Sequence, residues 1–101
     1  MKPYDGKSEE KPGLIRRRIL FHGWVQGVGF RYRAQHAAAL YGCTGWVRNE
    51  EDGSVTMEIQ GTKEAIGQVI LAIERGAYIR IERMEKIDLP VEERECSFHI
   101  G

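Results

Sequence analysis

Residues 15–41 read IRRRILFHGWVQGVGFRYRAQHAAALY, and the change of periodicity within this stretch decides the fold class. Residues 15–23 are rich in β-formers, with Ile19 and Phe21 on one face and Arg18 on the other, which predicts a strand. GWVQGVG (23–29) carries three glycines in seven residues, the mark of a loop that needs unusual backbone angles. Residues 30–41 contain no Gly or Pro. Phe30, Ala34, Ala37, Ala38 and Tyr41 fall on one face at helical spacing, and Gly42 stands where a helix ends. A strand therefore passes through a glycine loop directly into a helix.

The same alternation of elements continues downstream. Residues 45–49 (GWVRN) read as a short strand, Glu50, Glu51, Asp52 and Gly53 as a turn, and residues 54–60 (SVTMEIQ) as the return strand of a hairpin. In that return strand Val55, Met57 and Ile59 are expected inward, and Thr56, Glu58 and Gln60 outward. Thr62 is placed to cap a second helix, with Glu64 in its first turn. Ile66, Val69, Ile70 and Ile73 supply that helix's apolar stripe, and Gly76 ends it. Residues 79–89 form a further strand whose alternation slips near Met84, as a bulge would cause, and residues 97–100 can add a short last strand. The order β-α-β-β-α-β, with an extra C-terminal strand, is the ferredoxin-like pattern. It is an α+β sandwich in which an antiparallel sheet carries both helices on one face.

Composition narrows the class of protein. At 101 residues and 11.6 kDa the chain has the size of one domain. Its 42% hydrophobic and 30% charged content argues against wholesale disorder. Residues 1–13 lack periodicity and are expected to be a flexible tail ahead of a domain at 14–101. No apolar run approaches the roughly 20 residues of a membrane span, and the N-terminus has no apolar secretory core, so a cytoplasmic protein is expected. Fifteen basic residues balance fifteen acidic ones, whereas binding to nucleic acid through phosphate neutralisation usually shows a basic excess. The run Arg16, Arg17, Arg18 is better read as a solvated strand face than as a nucleic-acid patch. Cys43 and Cys96 are too few for a disulfide scaffold and too far apart for a CxxC site. Free thiols are expected in a reducing compartment, with a single Cys43–Cys96 bridge left open.

The chemistry is concentrated at residues 23–31. Successive backbone N–H groups in a glycine loop can converge on an anion, and a helix N-terminus adds unsatisfied donors and partial positive charge. Arg31, in the first helical turn, can bring a permanently charged planar fork to the same anion, with phosphate the obvious guest. On residue chemistry alone the stretch reads equally as a phosphate cradle or as a tight strand-to-helix turn with Arg31 at the surface. It is neither a Walker A loop nor a GxGxxG dinucleotide fingerprint.

GWVQGVGFR (23–31) resembles the first signature of the acylphosphatase family: Gly, any, Val, Gln, Gly, Val, any, Phe, Arg. Gly45, Trp46, Val47, Arg48 and Asn49, followed by Gly53, Val55 and Gly61, match the second. The resemblance covers roughly residues 17–100. It implies the ferredoxin-like fold and hydrolysis of carboxyl-phosphate anhydrides to carboxylate and inorganic phosphate, with no metal or cofactor. Carried over, Arg31 would bind phosphate together with backbone N–H groups of Trp24, Val25, Gln26, Gly27, Val28, Gly29 and Phe30. Asn49 would hold the attacking water through its side-chain amide, which can orient water but cannot act as a base at neutral pH. The expected partners are a small acyl phosphate substrate and inorganic phosphate product, with no nucleic acid and no membrane, and the protein is expected to be a monomer.

Other residues read as structural. His22 adjoins the loop, but strand alternation turns it away. His36 reads as a helix-surface residue, and His36 and His99 lack partners at metal-ligand spacing. Cys43 has no identifiable base and reads as a small, partly buried residue. Trp24 either shapes the pocket mouth for an aromatic acyl group or is a partly exposed loop aromatic. Glu50, Glu51 and Asp52 would repel phosphate and read as solvated turn residues. The competing function is a non-catalytic phosphate- or carbamoyl-phosphate-binding module of the type found in hydrogenase maturation proteins. Those continue into CxxC zinc fingers, which this sequence lacks. A nucleic-acid-binding ferredoxin-like domain is disfavoured by the zero net charge, the scarcity of sheet aromatics and the lack of an RNP-type pattern.

Overall fold

The computed structural model describes residues 13–101; the expected N-terminal tail, apart from Gly13, lies outside the described residues. The elements run β1 (Leu14–Trp24), α1 (Phe30–Leu40), β2 (Thr44–Asn49), β3 (Val55–Thr62), α2 (Lys63–Glu74), β4 (Arg80–Leu89) and β5 (Phe98–Ile100). They form one five-stranded sheet in the order β4-β1-β3-β2-β5. Four strands are antiparallel to their neighbours, as expected for the ferredoxin-like fold. β5 joins the edge parallel to β2, so the sheet is mixed rather than wholly antiparallel.

Both helices pack on one face of the sheet. Ile19 and Phe21 from β1, Val47 from β2, Val55, Met57 and Ile59 from β3, and Ile66, Val69 and Ile73 from α2 are almost wholly removed from water. Each is worth roughly 1.5–3 kcal/mol relative to exposure. α1 contributes Phe30, Ala34, Ala37 and Ala38. Tyr41, expected on the same face, is instead 39% exposed, because it is the C-cap of α1 and the chain has already turned there. The turn is a Schellman arrangement: Gly42 has φ +72°, the N–H of Cys43 donates to the Ala38 carbonyl, and that of Gly42 to the Ala39 carbonyl. Thr62 caps α2 as its position predicts, its Oγ1 accepting from the Ala65 N–H at 3.0 Å.

The second face of the sheet departs from the sequence reading. Thr56, Glu58 and Gln60 do point away from the helices, yet all are buried, and so is Arg16 at 4% exposure. The strand order supplies the reason. β4 and β5 lie at opposite edges, so residues 90–97 must cross this face to connect them. Gln60 fastens the crossing by donating to the Glu92 carbonyl at 3.0 Å and accepting from the Glu92 N–H at 2.7 Å. The Arg16 guanidinium bridges Glu58 (2.9 Å) on β3 and Glu95 (2.7 Å) in the crossing segment, and Arg18 reaches Glu58 at 2.7 Å. Burial alone would raise the Glu58 carboxyl, but the hydrogen bonds from Arg18 and Arg16 outweigh it and hold it below its ordinary range. Arg16 is thus a core ion-pair residue rather than part of a solvated face.

The β4 irregularity lies two residues before Met84. The β1–β4 register passes from His22↔Arg83 to Gly23↔Ile81, leaving Glu82 as the extra residue. Both cysteines are free, Cys43 buried and Cys96 exposed. Burial pushes the Cys43 thiol up to about 11.

Candidate active site

The loop joining β1 to α1 is held from beneath at three places. Val25 and Phe30 are buried to within 2% of complete, and the Phe30 ring meets Phe21 edge-on at 4.9 Å. Gln26 reaches across to the β2–β3 turn, where its Nε2 donates to the carbonyl oxygens of Glu50 (2.6 Å) and Ser54 (2.9 Å). With these side chains fixed inward, the intervening backbone bends outward through Gly27 (φ +72°) and Gly29 (φ +82°). A Cβ at either position would touch nothing within 4 Å. The demand for glycine there is one of backbone angle, and the open space outside is the pocket itself.

The pocket is about 300 Å³ and is lined by Val25, Gly27, Gly29, Phe30, Arg31, Tyr32, Asn49 and Ile100. α1 starts at its rim with Gly29 as N-cap. No side chain caps it, and its first turn has no acidic residue. α2 differs on both counts, with the Thr62 cap and Glu64. The first N–H groups of α1 therefore keep unsatisfied donor capacity beside the pocket, where a helix dipole favours negative charge. Arg31 adds a permanent positive charge, and among the described residues it takes part in no ion pair that would neutralise it. An uncapped helix end, two left-handed glycines and a guanidinium without an ion pair among the described residues together offer the donors and positive charge that a tetrahedral oxyanion needs. Asn49, the last residue of β2, brings a neutral amide to the same space.

Of the residues expected at the site, the structure gathers Arg31, Asn49, Val25, Gly27, Gly29 and Phe30 around one pocket. Trp24, Gln26 and Val28 are not in its lining. Trp24 ends β1, is 69% exposed and faces a separate hollow with Tyr78 and Arg80. Its side chain therefore does not shape the pocket mouth. Val28 packs against the core, and Gln26 serves as the tie to the turn. Tyr32 and Ile100 were not anticipated. Tyr32 follows Arg31 in the helix. Ile100 reaches the pocket only because β5 pairs with β2, opposite Val47 and two residues before Asn49, a placement that no local pattern encodes.

The remaining candidates fall outside the pocket. His22 is paired with Glu85 at 2.7 Å on the opposite face, and this contact helps to hold the Glu85 carboxyl low. His36 lies against the Tyr32 ring, with centroids 6.4 Å apart. Asp52 accepts from the Ser54 hydroxyl and N–H, and Glu50 is paired with Arg48 at 2.9 Å. Among the described residues no three His, Cys, Asp or Glu side chains are grouped so as to hold a metal ion, and no helix is long and apolar enough to cross a membrane.

Known proteins share this sequence and fold. An acylphosphatase of Geobacillus kaustophilus is 41% identical over 88 residues, covering 86% of this chain and 94% of its own. The crystal structure of acylphosphatase from Bacillus subtilis superposes with a TM-score of 0.78 at 31% identity, covering 86% of this chain and 98% of that one. Full-length HypF in its phosphate- and nucleotide-bound form matches with a TM-score of 0.74 at 25% identity, covering 87% of this chain but 12% of that protein. Residues 17–100 match the acylphosphatase family as a whole, and the chain belongs to that family.

Proposed function

We propose that the protein is an acylphosphatase, hydrolysing the carboxyl-phosphate bond of small acyl phosphates by in-line attack of water on phosphorus. The observation that carries the reading is the convergence of Arg31, the uncapped N-terminus of α1 and Asn49 on one pocket. The phosphoryl oxygens sit against the backbone N–H groups of the 24–30 loop and the Arg31 fork. Charge gathers on those oxygens as the transition state forms, and donors already in place stabilise it without reorganising. The amide of Asn49 accepts from or donates to the water and sets its approach. The leaving group is a carboxylate, stable as an anion at neutral pH, so the site needs no strong general acid to release it. The mechanism requires neither metal nor cofactor. We place the enzyme in the cytoplasm as a monomer acting on small molecules rather than on nucleic acid or membranes.

The second reading is a phosphate-binding module like part of HypF. The Geobacillus kaustophilus and Bacillus subtilis acylphosphatases, at 41% and 31% identity, are nearer than HypF at 25%, and this chain covers nearly all of each of them but 12% of HypF, which favours the hydrolase. Acetyl phosphate hydrolysis in the presence of EDTA separates the two. The hydrolase reading predicts turnover well above the spontaneous rate, lost in Arg31→Ala and strongly reduced in Asn49→Ala. A folded protein that binds inorganic phosphate but leaves acetyl phosphate at its spontaneous rate would establish the binding module instead.

A further inference from the structure

A second hollow of about 640 Å³ lies between α1 and the chain that leaves α2, more than twice the volume of the phosphate pocket. Gly29 and Tyr32 line both, so the two hollows adjoin at the first turn of α1. From that junction Tyr32, His36 and Leu40 follow one another at four-residue spacing, a stripe running along one side of α1 away from the phosphate pocket. Ala72 and Tyr78 form the opposite wall. Tyr32, Leu40 and Tyr78 are 73%, 76% and 79% exposed, and a cluster of large apolar and aromatic side chains left in water marks a surface with an occupant.

We infer that this groove receives the acyl half of the substrate, and that the preferred acyl phosphates carry apolar acyl groups larger than acetyl. The inference rests on the phosphate seat proposed above. In-line displacement puts the leaving oxygen on the side of phosphorus away from the attacking water. The acyl carbons therefore leave the pocket away from Asn49. The groove satisfies that direction: it begins at Gly29 and Tyr32 on the rim of the phosphate pocket, and neither Asn49 nor Ile100 lines it. Its chemistry also fits. Among the described residues no carboxylate lines it to repel an approaching phosphate monoanion or dianion. The guanidinium of Arg33, the one permanent charge that the described residues bring to its walls, donates to the Ala72 carbonyl at 2.9 Å. The phosphate pocket stands at the small end of ligand sites, whereas the groove has mid-range volume for an organic group.

Alkylphosphonates, which keep the anionic head and cannot be hydrolysed, test this without reference to turnover. Methyl-, butyl-, hexyl- and octylphosphonate are titrated into the protein by calorimetry and by amide chemical-shift mapping. Kd is expected to fall about two- to fourfold per methylene, from partly to fully buried chain. The longer ligands should shift the amides of Leu40, Ala72 and Ala77, which methylphosphonate should leave unmoved. In Leu40→Ser/Tyr78→Ser, both exposed positions, the chain-length dependence should flatten while the methylphosphonate Kd stays within twofold. Methylphosphonate binding with no gain from longer chains, or shifts away from the groove, would overturn the inference and leave the phosphate seat standing. No methylphosphonate binding would overturn both.

Discussion

The side chain of Gln26 is predicted to govern turnover although it does not line the pocket. Its carboxamide links two segments distant in sequence: the phosphate loop, and the turn that follows Asn49. It does so with hydrogen bonds of 2.6 and 2.9 Å to the carbonyls of Glu50 and Ser54. In Gln26→Ala both are lost. The Ser54 carbonyl keeps one partner, the Glu50 N–H at 2.9 Å, so the loss is that of ordinary neutral bonds, about 1–2 kcal/mol in total. For a chain of this length that lowers Tm by roughly 5–10 °C. The effect on catalysis is larger in proportion, because Asn49 is no longer held in register with the loop. A displacement of about 1 Å between water and phosphorus costs on the order of a hundredfold. The expected result, measured with benzoyl phosphate well below Tm, is a kcat reduced about 10- to 100-fold with inorganic phosphate inhibition changed less than about threefold. Gln26→Glu should be worse near neutral pH, where a carboxylate faces two carbonyl oxygens, and should recover in part at acid pH, where its hydroxyl can donate once. A Gln26→Ala protein with lowered Tm and unchanged kcat would show that Asn49 keeps its place without this tie.

Arg31→Lys should lose nearly as much kcat/KM as Arg31→Ala, on the order of a hundredfold or more, since the ammonium keeps the charge but not the fork; near-complete rescue by lysine would show that charge alone suffices. Glu58→Gln should cost about 2 kcal/mol at pH 7. The Glu58 carboxyl is held below its ordinary 4.5 in the fold, so its contribution is complete above that value and is lost as pH falls through the lower, folded pKa. The Tm gap between the two proteins should therefore narrow from pH 5 to pH 3; a constant gap would contradict the ion-pair account. With a thiol reagent at pH 8 the folded protein should show one fast site, the exposed Cys96, while Cys43, buried and with its thiol pushed up to about 11, reacts only on unfolding; two fast sites would contradict its placement.

Much of the helix-facing architecture is readable because it depends on local period. Ile19 and Phe21, Val55, Met57 and Ile59, and the α2 stripe fall inward where alternation and helical spacing place them, and Thr62 caps α2 through a three-residue contact. Period says which way Glu58 and Gln60 point but not what lies over them. Their burial depends on residues 90–97 crossing from one sheet edge to the other, and that follows from strand order. The parallel pairing of β5, and with it Ile100 at the pocket, depends on the same long-range fact. At the site, the glycine loop and Arg31 are adjacent in sequence and visible together. Asn49 enters through the family resemblance, and the structure shows the physical link that local chemistry could not supply: Gln26 ties the segment of one to the turn after the other.

Water attack at phosphorus in the pocket of Arg31 and Asn49 fixes which product receives the solvent oxygen. The most direct measurement is hydrolysis of acetyl phosphate by the purified protein in ¹⁸O-water with EDTA, wild type beside Asn49→Ala, reading the label in both products. Attack at phosphorus puts ¹⁸O in the inorganic phosphate and none in the acetate, at a rate that collapses in the variant. Label in the acetate, or a wild-type rate no higher than the spontaneous one, would contradict it.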